Sequence, residues 1–294
     1  MKTCEQLLGT DAAEAWMLFR RGPRRLKARR GVLAAGAVPA LVFEGDVLLG
    51  RADAVARRGA RMRARLFEPE AELLRGDPDL PGEVDDLFRG VIKVDEAIGI
   101  VSSSPDGARW RGGVVPFEVD PALPDSGRVT AAIAAYHAAT TVRFVARDPA
   151  SVEHVDHVRI SPGIGCASFV GRRGGMQPVY LGSECSAGNC MHELGHALGL
   201  WHEQSRENRD DFVTILGDNI KPGALSNFDQ HVTDGDDIGD YDFDSIMHYP
   251  ADAFARSAGL VTIRAKKPLP AGVVMGQRDH LSHGDVLAIN ALYA

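Results

Sequence analysis

The sequence predicts an α+β fold. Short apolar runs of strand length alternate with amphipathic helices between residues 114 and 202, and a long acidic stretch with little regular pattern then leads to one capped terminal helix. The second helix of the series carries His-Glu-Leu-Gly-His over residues 192–196, and the rest of the chain reads as an arrangement around it.

Composition bounds the answer. With 294 residues, 45% of them hydrophobic, the chain can bury a full core as one large domain or two modest ones. The net charge is −7, and no basic cluster is interleaved with aromatics, so nothing favours nucleic acid as a partner. No apolar run approaches the roughly 20 residues a bilayer span needs, so no membrane-spanning helix is expected. Cys4, Cys166, Cys185 and Cys190 form no C-x-x-C pair, which argues against a cysteine zinc site. Cys166 and Cys185 bracket a Gly-rich stretch, residues 169–182, that reads as a hairpin, and a disulfide between them is expected in an oxidising compartment.

The first 30 residues hold eight Lys or Arg against three Asp or Glu, and an apolar run follows over residues 32–43. That order is similar to a late, twin-arginine type of export signal within residues 1–40, but Gly36 and Pro39 interrupt the run and it starts far from Met1. Residues 12–19 read as one helix. Residues 41–50 read as two strand pieces around the turn pair Gly45-Asp46, which puts Asp46 at a bend. Residues 52–75 read as a polar helix broken by Asp77-Pro78 and Leu80-Pro81-Gly82. Ser102-Ser103-Ser104-Pro105-Asp106-Gly107 is a linker, and the domain boundary is placed there.

Beyond it, residues 110–119 read as a turn entering a strand. Residues 128–140 form a helix with Val129, Ile133 and Tyr136 near one face, and residues 142–145, 152–160, 167–170 and 178–181 are strand candidates. His154 and His157 read as solvated strand side chains, and His231, His248, His280 and His283 as structural or exposed. The acidic run over residues 234–244 fits no EF-hand spacing and reads as a solvated loop. Ser282 and Asp285 cap a last helix carrying Val286, Ile289 and Tyr293.

His192 and His196 lie four residues apart, so on a helix both imidazoles leave the same face. Gly199 suits a left-handed residue that ends the helix and turns the chain back, bringing His202 to the same ion. Three neutral nitrogens at about 2.0–2.1 Å hold one Zn2+ per chain and leave a position open for water. Glu193 can accept that water's proton, a general-base role worth about 10²–10⁴ in rate. A bare H-E-x-x-H also occurs on ordinary amphipathic helices; the extension through Gly199 and His202 makes the pattern specific.

That extended stretch resembles the metzincin metallopeptidases, and Glu203, directly after the third histidine, resembles the astacin family within that clan. Ser245-Ile246-Met247-His248-Tyr249 is similar to the family's Met-turn. The likeness implies Met247 as a hydrophobic floor under the metal. It also implies Tyr249 as an additional, movable zinc ligand that stabilises the oxyanion. The resemblance runs over roughly residues 108–293: residues 110–116 look like the start of the mature enzyme, Cys166 and Cys185 like its hairpin disulfide, and residues 276–282 like its last loop. Phe43-Glu44-Gly45-Asp46 resembles the FxGD motif of astacin propeptides, whose aspartate ligates zinc in the latent form, a role that falls to Asp46. Departures are also visible. Thr140-Thr141-Val142 has no cysteine, so the second disulfide of two-disulfide astacins is missing; Cys190 reads as a buried thiol and Cys4 as free.

The resemblance therefore implies a metzincin-like catalytic domain over residues 102–294, with a twisted, mostly parallel sheet, two helices including the active-site helix, an irregular C-terminal subdomain with the Met-turn, and a terminal helix. A propeptide, residues 1–101, would act as an intramolecular inhibitor until cleavage near residues 101–106. Glu203 would then order the new amino-terminal segment, and Arg278 would favour acidic residues just past the scissile bond. The implied function is a secreted or extracytoplasmic zinc endopeptidase made as a zymogen and acting on proteins or peptides. Two rivals stand beside it. One is a matrixin-like metzincin, against which Glu203 and the lack of that class's propeptide cysteine motif argue. The other is a catalytically silent zinc-containing binding module that keeps its prosegment.

Overall fold

The computed structural model describes residues 109–231 and 237–293 in full, and the backbone of four N-terminal strands: β1 (Leu8–Phe19), β2 (Gly22–Gly31), β3 (Ala40–Phe43) and β4 (Val47–Arg51). These four form an antiparallel sheet in sequential order. Residues 12–19, expected to be helical, lie in β1, where Ala12 to Phe19 pair with Arg29 to Gly22. A short apolar run does not distinguish strand from buried helix by its own periodicity, and the pairing partner decides. The two strand pieces expected around Gly45-Asp46 are β3 and β4, with Phe43 opposite Val47. Cys4, Asp46, the helix expected over residues 52–75 and the linker at residues 102–107 lie outside the described residues.

The second unit is built on a five-stranded sheet of β5 (Val114–Val119), β6 (Arg143–Ala146), β7 (His157–Pro162), β8 (Cys166–Ala167) and β9 (Met176–Leu181), in the order β6-β5-β7-β9-β8. All pairs are parallel except β8 with β9, so the sheet is mostly parallel, as expected. Two expected strands are shorter than predicted. Residues 152–160 divide into a 3₁₀ turn, Val152–His154, and β7, because the Ser151 hydroxyl accepts the Glu153 N–H and starts a turn. Residues 167–170 leave the sheet after Ala167, and Gly171 N–H instead donates to His196 O at 2.8 Å.

Helix α1 (Gly127–Ala139) buries Val129, Ala132, Ile133 and Tyr136, spaced 3, 4 and 7 residues from the first, which is the one-face pattern of an amphipathic helix. Tyr136 is fully buried and its hydroxyl donates to Met191 O at 2.7 Å, tying α1 to helix α2 (Ala187–Leu198). Ser186 caps α2, with reciprocal bonds to Asn189. Before that cap, Cys185 is bonded to Cys166, and the buried Arg128 guanidinium donates to Gly182 O and Cys185 O at 2.6 and 2.5 Å. The expected disulfide is thus present, and it pins the segment that enters α2.

Past α2 the chain is irregular, as expected: 3₁₀ turns, the short pair β10 (Val213–Ile215) and β11 (Ile263–Ala265), and a second apolar core around Phe228, Tyr241, Tyr249 and Ile263. Helix α3 (His283–Leu292) closes the fold on the Ser282–Asp285 capping box. Thr141, just after α1, donates from both N–H and hydroxyl to Asn290 Oδ1 on α3, at 2.9 and 3.2 Å. Among the described residues no helix is long and apolar enough to cross a membrane.

Candidate metal centre

Helix α2 presents His192 and His196 one turn apart. Gly199, with φ 111°, then ends the helix in the left-handed conformation that glycine adopts without strain, and the chain returns with His202. All three histidines are buried, and their candidate ligand nitrogens lie within 4.8 Å of one another. His192 Nε2 and His202 Nε2 are 3.3 Å apart. Carbonyl partners set the ring orientation: His192 Nδ1–H donates to Ile246 O and His196 Nδ1–H to Leu200 O, both at 2.8 Å. An Nδ1–H held on a carbonyl leaves Nε2 as a lone pair, so these rings turn unprotonated nitrogens toward a common point. The donor set and its spacing fit one metal ion.

Met247, expected as the floor under the metal, is 2% exposed and packs its sulfur toward Gly195. A Cβ built on Gly195 would stand 2.7 Å from Met247 Sδ and 3.2 Å from Tyr136 Oη, so only a hydrogen fits where helix, floor and α1 meet. The Ser245–Tyr249 turn is held from below by Asp285. Its carboxylate accepts Ser245 Oγ–H at 2.6 Å and the N–H groups of Ile246 and Ser282 at 2.9 Å. Tyr249 packs its ring 4.4 Å from that of His202 and donates its N–H to Gln204 Oε1. The next ring in the turn, His248, is fully buried: Nε2 accepts from Tyr241 Oη–H at 2.8 Å and Nδ1–H donates to Tyr249 O at 2.7 Å. Burial lowers its pKa to about 4, so it is neutral near pH 7.

A cleft of about 890 Å³ adjoins the centre, and its lining includes His192, Glu193 and Tyr249 with Glu184, Phe254 and Arg256. Glu193 is 1% exposed. Arg278 also reaches the cleft, where it donates from Nη1 to His248 O and Gln277 O. Glu203 faces elsewhere. It lines a separate small pocket of about 80 Å³ with Asp237, Asp240, Asp242, Asp285 and Arg206, and accepts the Asp242 N–H at 2.8 Å. Burial, against the attraction of Arg206, raises the Glu203 carboxyl to about 8.

Other histidines need correction or agree. His157, expected to be solvated, is 3% exposed and donates from Nδ1 to Val155 O at 2.9 Å, because β7 is an interior strand. His154 accepts the Asp148 N–H, and neither ring joins a metal-binding group among the described residues. His231 is buried and stacks on Trp201, while His280 pairs with Asp244 at the surface. Cys190 is fully buried, with its pKa pushed up to about 12 chiefly by burial, and so is inert as a nucleophile near neutral pH. Sequence reasoning missed Gly188, whose absent side chain admits the Arg278 backbone. It read Asp285 only as a helix cap, and the capping box carried no sign of the bonds to the Met-turn.

The sheet, the helix bearing two of three histidines, the glycine turn and the cleft carboxylate together define a metallopeptidase-type domain. The chain belongs to the astacin family: residues 103–294 match the family model described as Astacin (Peptidase family M12A). It is 42% identical over 204 residues to the Bone morphogenetic protein 1 homolog of Strongylocentrotus purpuratus, a match covering 66% of this chain and 32% of that protein. It is 40% identical over 192 residues to Zinc metalloproteinase nas-4 of Caenorhabditis elegans, covering 63% of this chain and 59% of that one. Of each of these relatives the chain spans less than two thirds. Among solved structures it is similar to High choriolytic enzyme 1, a hatching enzyme zinc-protease from Oryzias latipes (medaka fish), with 36% identity, a TM-score of 0.55, and coverage of 63% of this chain and 92% of that one. Family membership sets aside the matrixin-like reading.

Proposed function

We propose that the chain is a zinc-dependent endopeptidase made as a zymogen. The observation that carries this reading is the convergence of three buried imidazoles, two of them oriented by carbonyls, next to a cleft of about 890 Å³ lined by His192 and Glu193. His192, His196 and His202 would hold the zinc ion, and Tyr249 would serve as a further ligand. Bound zinc supplies a Lewis acid that polarises the scissile carbonyl and acidifies water. Glu193 takes the proton from the attacking water and returns it to the leaving amine. The Tyr249 hydroxyl donates a hydrogen bond to the carbonyl oxygen as negative charge develops there. Met247 and Asp285 keep the turn beneath the site in place, and no covalent intermediate is required.

Residues 1–101 act as the propeptide, with Asp46 as the inhibitory carboxylate, and cleavage within residues 101–106 releases the site. The acidic pocket around Glu203 supports a structural role for that residue, since it suits a newly formed ammonium terminus. The Cys166–Cys185 disulfide supports an extracytoplasmic location. In the assay that tests this reading, full-length chain leaves a denatured protein uncut, cleavage in the linker or Asp46→Ala switches hydrolysis on, and a chelator abolishes it. A linker-cleaved, zinc-loaded chain that cuts nothing would establish the silent binding module instead.

Arg278 is proposed as the cation that receives an acidic residue just past the scissile bond, because it lines the cleft with Glu193 and Tyr249. A charge-assisted hydrogen bond contributes about 1.5–3 kcal/mol. Arg278→Ala is therefore expected to lower kcat/KM at least about tenfold for peptides with Asp at that position, relative to peptides with Ala. An unchanged ratio would sink the assignment.

A further inference from the structure

The last four carbonyls of an α-helix have no partner inside the helix, and when buried they must be satisfied from outside. In α2 all four are filled. Gly195 O accepts from Leu200 N–H, and His196 O from the N–H groups of Gly199 and Gly171. The other two partners come from the far ends of the catalytic unit. Trp110, just before β5, donates Nε1–H to Ala197 O at 2.8 Å; Tyr293, one residue past α3, donates its hydroxyl to Leu198 O at 2.8 Å. Trp110 is 2% exposed, and its neighbour Arg109 is held through its carbonyl by Arg172, which is itself paired with Asp156. The Trp110 backbone N–H also donates to the Tyr293 hydroxyl oxygen at 3.5 Å, so the two residues are bonded to each other.

These bonds end where the metal site depends on the backbone. The Gly199–Leu200 turn follows directly, Leu200 O holds the His196 ring, and His202 stands two residues further on. A shift of that turn moves two of the three histidines together. We infer that Trp110 and Tyr293 are positioning residues of the metal centre, clamping the end of α2 so that His196 and His202 converge on one ion. The inference rests on the zinc reading above. It makes the site depend on both ends of the domain, through side chains that do not line the cleft.

Trp110→Phe and Tyr293→Phe each keep a ring in place and remove one donor. Changing a group that orients a metal ligand typically costs about 10–100-fold in metal affinity. In the full-length chain, zinc affinity measured by competition with a chromogenic chelator, well below the unfolding temperature, is expected to fall about tenfold in each variant and further in the pair. KM for a peptide, measured with zinc in excess on the cleaved forms, is expected to stay put. Val158→Ala, which opens a cavity at a buried position of β7 and touches none of the bonds to the end of α2, serves as the stability control and is expected to lower the melting temperature without changing zinc affinity. Zinc affinity in both variants equal to wild type, or falling only as far as in Val158→Ala, would overturn the inference. If Trp110→Phe does not fold, Tyr293→Phe decides. A wild-type chain that binds no zinc would overturn the metal reading itself, an outcome distinct from variants that match a zinc-binding wild type.

Discussion

Glu193→Gln is expected to lower kcat for peptide hydrolysis by about 10²–10⁴ while the chain keeps its zinc. The side chain is 1% exposed, directly follows His192 on α2 and lines the cleft. Glutamine has nearly the same volume and removes only the ability to accept a proton. Packing of α2 and the orientation of the histidines on Ile246 O and Leu200 O are untouched, so zinc content by atomic emission should match wild type. KM should change little, since the cleft walls are unaltered. A variant that retains most of its kcat would remove Glu193 from the mechanism. Loss of both zinc and activity would instead assign it to the metal site.

Gly188→Ala is expected to have the largest effect on stability. A Cβ at that position would lie 1.5 Å from Arg278 O and 2.3 Å from Arg278 C, whereas ordinary contacts are 3.4–4 Å. The obstacle is backbone and cannot rotate away. The opposing loop is also tied down, with Gln277 Nε2 donating to Asp244 O and His280 O at 2.7 and 2.9 Å, and Gln277 Oε1 accepting the Asp279 N–H at 2.7 Å. Either the first turn of α2 or this loop must move. Overpacking of this kind costs about 1–3 kcal/mol and occasionally more, and with backbone on both sides the upper end, about 3 kcal/mol, is expected. For a domain of this size that is a fall of about 6–12 °C in Tm. Because the displaced loop carries Arg278, KM for acidic peptides should rise in the same variant. A thermal melt superimposable on wild type would show that the two backbones separate freely.

Local rules made much of this protein legible. The four-residue spacing of His192 and His196, the glycine at 199 and the Ser282 cap each act within one or two helical turns, so the chain carries their signal in order. The same locality explains the errors. Residues 12–19 contain enough apolar side chains for either a helix or a strand, and pairing with Gly22–Gly31 decided the matter. His157 was misread because alternation cannot say whether a strand is interior or at an edge. The strand expected over residues 167–170 is cut short by Gly171, whose N–H goes to His196 O, a partner 25 positions away.

By itself the sequence pointed to the metal-binding helix, its glycine exit, the third histidine and the cysteine pair, because each is a short-range pattern that chemistry constrains to particular residue types, while the Met-turn was legible only through its likeness to a known family. Only the tertiary structure decided how those parts are held in register: Asp285 under the Met-turn, Gly188 against Arg278, Trp110 and Tyr293 on the last carbonyls of α2. Those contacts join residues 39 to 95 positions apart. A hydrogen bond or close approach across such a separation leaves no period or spacing in the chain, since any donor or small residue brought there by the fold would serve.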